Sequence, residues 1–237
     1  GVAMSFDDDF NDATWNVTYV DSHDYAPDNN PEGVRYNQSD ASLAENFTLL
    51  WTFRGIPTIY YGTEVRFQAG VTIDGGAERI PIESTGRAYF GNNLEGSVNV
   101  SDFGVFRNAT GALGESLNHP MAQHLITLNR IRRAVPALQM GQYSTSDISG
   151  NMSFKRRYTS QDEGIDSFVL VTVSGSATFN NIPNGTYVDA VTGDTINVSG
   201  GSLTANVSGQ GNARVYVLDT PETPAPGKIG NGSNWLQ

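Results

Sequence analysis

The sequence predicts an α/β segment followed by an all-β domain of antiparallel strands, and two observations carry that reading. Between Trp15 and Tyr61 a short apolar run, an amphipathic helical stretch and a second short apolar run follow one another, an order that implies a βαβ unit with parallel strands. Beyond Gly141 the helical spacing gives way to short alternating or β-branched runs separated by turn residues, the signature of antiparallel strands.

The first run, residues 15–20 (WNVTYV), is rich in β-branched and aromatic types and too short for a helix, so it reads as a buried strand. His23 and Asp24 then fall just past its C-terminal end. Ser42 with Glu45 has the form of a capping box, and Leu43, Phe47, Leu50 and Trp51 follow at helical spacing until Gly55, which predicts an amphipathic helix of about three turns. Residues 56–61 (IPTIYY) form the second strand, closed by Gly62. From Glu64 to Leu117 the chain is rich in Gly, Asn and Ser without a sustained period; connections of that length are functional or carry short elements of their own. Pro120 opens the next helix, with Met121, Leu125, Leu128, Ile131 and Val135 on one face. Arg130, Arg132 and Arg133 lie near its end, where they suit the dipole, and Pro136 stops it. The strands expected afterwards lie in MSFKRRY, SFVLVTV, TYVDAV and ARVYVLD, with a turn at Pro183-Asn184-Gly185. The segment after Asp219, PETPAPGKIGNGSNW, reads as a Pro-rich linker or tail.

With 237 residues, 38% of them hydrophobic, the chain can bury a sizeable core. Its 14 basic and 25 acidic residues leave a formal charge of −11, which argues against nucleic acid and anionic membranes as partners. No apolar run approaches the ~20 residues of a membrane span. The absence of cysteine removes thiol nucleophiles, zinc-thiolate sites and disulfides. Residues 1–10 lack the basic flank and apolar core of a signal peptide; an exported protein would carry its signal outside this sequence.

Two motifs stand in register, YVDSHD at residues 19–24 and RGIPTIYYGTE at residues 54–64. Together they resemble the seventh and eighth strands of the (β/α)8 barrel of the α-amylase family of glycoside hydrolases. The resemblance continues through residues 119–143 (HPMAQHLITLNRIRRAVPALQMGQY), similar to the final barrel helix, and residues 185–203 (GTYVDAVTGDTINVSGGSL), similar to the C-terminal β-sandwich. It implies a C-terminal part of a (β/α)8 TIM barrel in residues 1–138, an antiparallel β-sandwich in residues 139–220 and a Pro/Gly-rich linker or tail in residues 221–237. Ser22 stands where the family more often has Asn.

The resemblance also implies roles. Asp24 would be the third carboxylate of the family's catalytic trio, steadying the distorted, oxocarbenium-like sugar through its hydroxyls, and His23 would donate to a sugar hydroxyl in the same subsite. Charge-assisted hydrogen bonds to a carboxylate suit that task. Asp74, Arg79 and Arg87, in the long connection after the second strand, are further candidates for sugar contacts, although their spacing does not match the family cleanly. A retaining glycosidase also needs a nucleophilic carboxylate and an acid/base about 5 to 5.5 Å apart; neither family motif occurs here. The expected parent is therefore an extracellular enzyme that cleaves α-1,4 bonds in starch-like polymers. This chain would be its C-terminal part, inactive alone, with the N-terminal barrel portion and an α-glucan as partners. A cyclodextrin glucanotransferase-type transglycosylase and a non-catalytic carbohydrate-binding module of amylase shape are the alternatives.

No cofactor is expected in this chain, although the parent's N-terminal part could hold calcium. Asp7, Asp9 and Asn11 imitate the start of a calcium loop, but Asp12 and Thr18 stand where Gly and Glu are required, so no metal is expected here either. The N-x-S/T triplets are what an Asn- and Ser-rich chain produces by chance. His119 and His124 read as capping or packing residues, and Tyr60 and Tyr61 as core residues.

Overall fold

The computed structural model describes residues 13–24, 33–74, 80–101, 105–229 and 234–237. The possible calcium-loop residues Asp7, Asp9, Asn11 and Asp12, and the candidate Arg79, lie outside them.

The strand, helix, strand order is present, with shorter strands than expected. Strand β1 (Val17–Thr18) pairs in parallel with β2 (Ile56–Pro57) across helix α1 (Asp40–Thr52). The helix begins earlier than the expected box at Ser42 because Ser39 is the cap: its Oγ accepts the Ser42 N–H at 3.1 Å, and Asp40 supplies the first-turn acid. Glu45 instead accepts from the Gln210 carboxamide at 3.3 Å. Gly55, at φ +99°, turns the chain into β2 where a Cβ would meet the Asn16 carbonyl oxygen at 2.6 Å.

The long connection is ordered by a hairpin, β3 (Asn99–Ser101) with β4 (Val105–Arg107), and by helix α2 (Gly111–Asn118). The sequence pattern missed α2 because it opens on glycine. His119 caps helix α3 (Pro120–Ala134), its ring Nδ1 accepting the Met121 N–H at 3.2 Å. Pro136, expected only to end α3, also starts the short helix α4 (Pro136–Met140).

The remaining strands are β5 (Gln142–Ser144), β6 (Ile148–Ser149), β7 (Ser153–Ser160), β8 (Ile165–Val173), β9 (Ala177–Asn180), β10 (Gly185–Asp189), β11 (Thr195–Val198), β12 (Ser202–Ala205) and β13 (Ala213–Asp219). They form an antiparallel sheet ordered β11-β10-β13-β8-β7-β5 and a smaller one ordered β12-β9-β6. Alternation along β8 shows the layering. Val169, Val171 and Val173 face the helices in one core with Phe47, Leu128, Ile131 and Val215, while Phe168 and Leu170 face the smaller sheet in a second core with Phe179, Leu203 and Tyr187. A strand buried on both faces is why SFVLVTV reads as an unbroken apolar run.

Two arginines, one on α3 and one on the large sheet, converge on the end of α1. Arg132 donates to the carbonyls of Trp51, Phe53 and Gly55 at 2.9, 3.1 and 2.7 Å. Arg156, fully buried on β7, donates to Thr52 and Phe53 at 3.3 and 2.9 Å, to Gly141 at 2.9 Å through Nη2, and to Leu138. The C-terminal carbonyls of α1, unpaired within the helix, are thus met by cations at the negative end of its dipole. Burial pushes Arg156 down to about 9, with like-charge repulsion from Arg132 and Arg54 adding to it, so it remains a cation at neutral pH. Asp189, the buried acid of the TYVDAV run, accepts from the backbone of Val191, Thr192 and Val215 and is a turn-fixing residue.

The segment after Asp219 is packed against the body of the protein where it is described. Ile229 N–H donates to Ala190, Leu236 is buried in the helix-side core, and the Trp235 ring meets His124 edge-on with centroids 5.5 Å apart. The apolar side chains of Trp235 and Leu236 thus find a surface beside α3 that composition alone does not reveal.

Candidate active site

Beyond Thr18 the chain leaves β1 and turns, and this turn presents YVDSHD. The Asp24 N–H donates to the Ser22 hydroxyl at 3.1 Å, so the serine serves a local turn. His23 and Asp24 are both exposed, with Nε2 3.3 Å from Oδ2. They lie in a cleft of about 300 Å³ lined also by Val17, Tyr19, Asp21 and Tyr60.

Arg87 gathers the candidates. Its Nε and Nη2 donate to the His23 carbonyl at 3.1 and 2.9 Å, and Nη2 lies 3.1 Å from Asp74 Oδ2 and 3.6 Å from Asp24 Oδ1. Four of the residues expected to contact sugar, His23, Asp24, Asp74 and Arg87, therefore form one cluster although 64 positions separate His23 from Arg87. Water screens these pairs, and exposed ion pairs contribute only about 0 to 1 kcal/mol each; their interest is geometric.

Beneath this rim is a buried network that the sequence reading did not single out. Arg35 is fully buried and donates to the carbonyls of Gly86 (3.1 Å) and Tyr61 (2.5 Å), with its guanidinium 4.2 Å from the centre of the Tyr60 ring and 5.1 Å from that of Tyr61. Gly86 makes room for this, since a Cβ there would meet Arg35 Cγ at 2.7 Å. Arg35 thereby holds the backbone immediately before Arg87. Asp21, also buried, accepts from Thr63 Oγ1 at 2.9 and 3.0 Å and from the Tyr36 N–H at 3.2 Å. Burial raises its carboxyl above the usual range despite these bonds and the arginines nearby. Burial likewise raises Glu64, whose Oε2 has no hydrogen-bond partner among the described residues, and pushes Tyr60 up to about 12. Tyr60 lines the cleft, while the Tyr61 hydroxyl donates to the Ala88 carbonyl at 3.0 Å. The available signal for this network was local: Asp21 lies inside YVDSHD and Thr63 inside YYGTE, but Arg35 has no motif of its own.

The cluster offers an exposed carboxylate acceptor, an imidazole and a guanidinium around an open cleft, a set that suits a polyhydroxylated ligand. Among the described residues no group of three or more His, Asp or Glu side chains is arranged to hold a metal ion. His119 and His124 lie away from the cleft: the first caps α3, and the second is buried between Thr48 Oγ1 (2.9 Å) and the Ala44 carbonyl (3.0 Å).

Comparison with known proteins points to a class first, the α-amylase family. The curated relatives that match include an amylase and a glucanotransferase, and the solved structures of similar fold include an α-amylase and a cyclodextrin glucanotransferase, in keeping with the family that the motifs resemble. In particular, the chain is 26% identical over 211 residues to a beta/alpha-amylase of Paenibacillus polymyxa, which covers 84% of this chain and 14% of the relative. It is 24% identical over 212 residues to a cyclomaltodextrin glucanotransferase of Klebsiella oxytoca, covering 80% of this chain and 28% of the relative. In fold it is similar to an Anoxybacillus α-amylase (TM-score 0.55, 18% identity, 90% of this chain and 39% of that one). It is also similar to a γ-cyclodextrin glucanotransferase of Bacillus clarkii (TM-score 0.52, 18% identity, 92% and 28%). No family model matches the chain. The chain thus spans less than a third of the length of these curated relatives, which fits a C-terminal part of such an enzyme.

Proposed function

We propose that this chain is the C-terminal part of a retaining, α-glucan-active glycoside hydrolase of α-amylase type, whose parent acts outside the cell on α-1,4 bonds of starch-like polymers. The carrying observation is the gathering of Asp24, His23, Asp74 and Arg87 at the C-terminal end of β1. In a (β/α)8 barrel the active site is built from loops at that end of the strands. On this reading β1, α1 and β2 are the seventh strand, its helix and the eighth strand, residues 1–138 complete one side of the barrel, and residues 139–220 form the family's β-sandwich. Support comes from an apolar surface: a two-stranded parallel sheet, as found among the described residues, is uncommon without further strands, and Trp15 (74% exposed), Val17 and Ile56, on and beside it, are solvent-exposed. The rest of the barrel would cover them and supply the nucleophile and the acid/base.

In this proposal Asp24 accepts hydrogen bonds from sugar hydroxyls that strengthen as positive charge develops on the ring, and His23 donates to a hydroxyl of the same sugar. Arg87, bonded to the carbonyl of His23, fixes the turn that carries both. In the complete enzyme Asp24→Asn is expected to lower turnover by a hundredfold or more, about 3 kcal/mol, with little change in the Michaelis constant or in thermal stability. His23→Ala is expected to raise the Michaelis constant as well. Steady-state kinetics on a maltooligosaccharide check both; retention of more than about a tenth of wild-type turnover by Asp24→Asn contradicts the role. The glucanotransferase similarities support a second outcome of the same site, transfer of the glycosyl group to a sugar, and product analysis separates cyclic dextrins from linear fragments. The chain by itself is expected to cleave no starch.

A further inference from the structure

On the far side of the large sheet from the helices lies a second cleft, of about 410 Å³, lined by Gln142, Ser144, Lys155, Arg157, Phe168 and Asn181 among others. We propose that this cleft binds a small organic oxyanion, a phosphate ester or a carboxylate, with Lys155 as its counter-charge.

Alternation along β7 places Phe154 and Arg156 toward the helices and Lys155 on the opposite face, where only 8% of it is exposed. A cation so far removed from water ordinarily has a carboxylate or several acceptors around it. Among the described residues Lys155 makes one long hydrogen bond, 3.4 Å from Nζ to the Asn180 carbonyl, and no carboxylate lies within ion-pairing distance of it. An ammonium carries three N–H donors, so donors remain for a ligand. The neighbouring cation is already balanced: Arg157 makes a two-pronged pair with Asp166 through Nε (2.9 Å) and Nη2 (2.7 Å). The cleft therefore holds a surplus positive charge inside a molecule whose net charge is −11.

Gln142 and Asn181 also line the cleft, and carboxamides suit the hydroxyl or carbonyl groups of a ligand body. Asn181 occupies the left-handed region at φ +51°, a conformation asparagine tolerates better than most residues. The one aromatic ring among the described lining residues, Phe168, is 7% exposed and offers no open face for stacking, which favours an anion over a neutral sugar ring. The volume falls within the range of small-molecule sites, about 300 to 1,000 Å³, larger than a bare phosphate requires.

The test is calorimetric titration of the full chain with inorganic phosphate, glucose 6-phosphate and citrate, each against sodium chloride of matched ionic strength. The expected result is saturable one-site binding that chloride does not reproduce. Lys155→Met should weaken it at least about tenfold, without lowering the melting temperature of the unliganded protein. Binding of glucose 6-phosphate without citrate assigns a phosphate ester; the reverse assigns a carboxylate. No saturable binding of any of the three, or unchanged affinity in Lys155→Met, overturns the proposal. Should Lys155→Met fail to fold, the double variant Gln142→Ala, Asn181→Ala decides: affinity for the same ligand is expected to fall at least about threefold, and unchanged affinity overturns it equally.

Discussion

Replacing Arg156 by Met tests whether the arginine joint holds the helical and β layers together. Met is similar in length and fully apolar, so the change removes a buried charge along with its hydrogen bonds, and two effects oppose each other. Removing a desolvated cation can be neutral or even stabilising when its partners are removed too. Here the partners are backbone carbonyls, of Thr52, Phe53, Leu138 and Gly141, and they stay where the fold puts them. Phe53 keeps a donor in Arg132; the others lose theirs. Hydrogen bonds from a charged donor contribute about 1.5 to 3 kcal/mol each. After the relief of desolvation the loss should be about 3 to 5 kcal/mol, in line with breaking a buried polar network. Urea unfolding is the assay. With a slope of roughly 2 to 3 kcal/mol per molar, the midpoint should fall by about 1.5 M. Arg156→Lys keeps the charge but cannot fork to both α1 and Gly141, and should fall between wild type and Arg156→Met. A midpoint within about 0.3 M of wild type for Arg156→Met would refute the joint.

Other outcomes follow from the same geometry. Burial depresses His124 from 6.5 to about 4; because the unfolded chain takes up a proton that the folded one refuses, stability should fall as pH drops from 6.5 toward 4, by at most about 3 kcal/mol. In His124→Gln that part of the pH dependence should vanish, as thermal melts across the range will show. Gly62→Ala, at φ +83° with Phe67 Cβ only 2.7 Å from the added methyl, should cost about 2 kcal/mol or more and lower the melting temperature; an unchanged melt refutes the packing around YYGTE. Asp21→Ala leaves the Thr63 hydroxyl and the Tyr36 N–H without their shared acceptor and should cost about 2 to 4 kcal/mol. The same denaturant titration measures it, and a loss below about 1 kcal/mol would mean that the network reorganises at little cost.

The local elements were legible to the extent that their periods were clean. The apolar face of α3 and the doubly buried β8 follow directly from spacing, since Met121, Leu125, Leu128 and Ile131 can only meet a core together on one side of a helix. The start of α1 was misplaced because Ser39 and Ser42 are both competent caps, and only the backbone dihedrals at Ser39 choose between them. Helix α2 was invisible because Gly111 and Gly114 weaken its propensity, while packing against its neighbours sustains it.

At the site, His23 and Asp24 were marked by their place just after a short apolar run, and two-residue adjacency needs no tertiary information. That Arg87 and Asp74 join them was decided in space, by loops whose closure spacing does not encode. Arg35 and Lys155 divide along the same line: each is a basic residue in the sequence, yet only the fold buries one beneath the cleft among Tyr60, Tyr61 and Gly86 and leaves the other buried with no carboxylate beside it among the described residues. The sequence by itself determined the order of elements, the apolar faces and the turn that presents YVDSHD, because these depend on neighbours a few residues apart. Tertiary structure alone decided which distant charges meet and which are stripped of water, because desolvation and ion pairing depend on separation in space, which the chain sets only when it closes on itself.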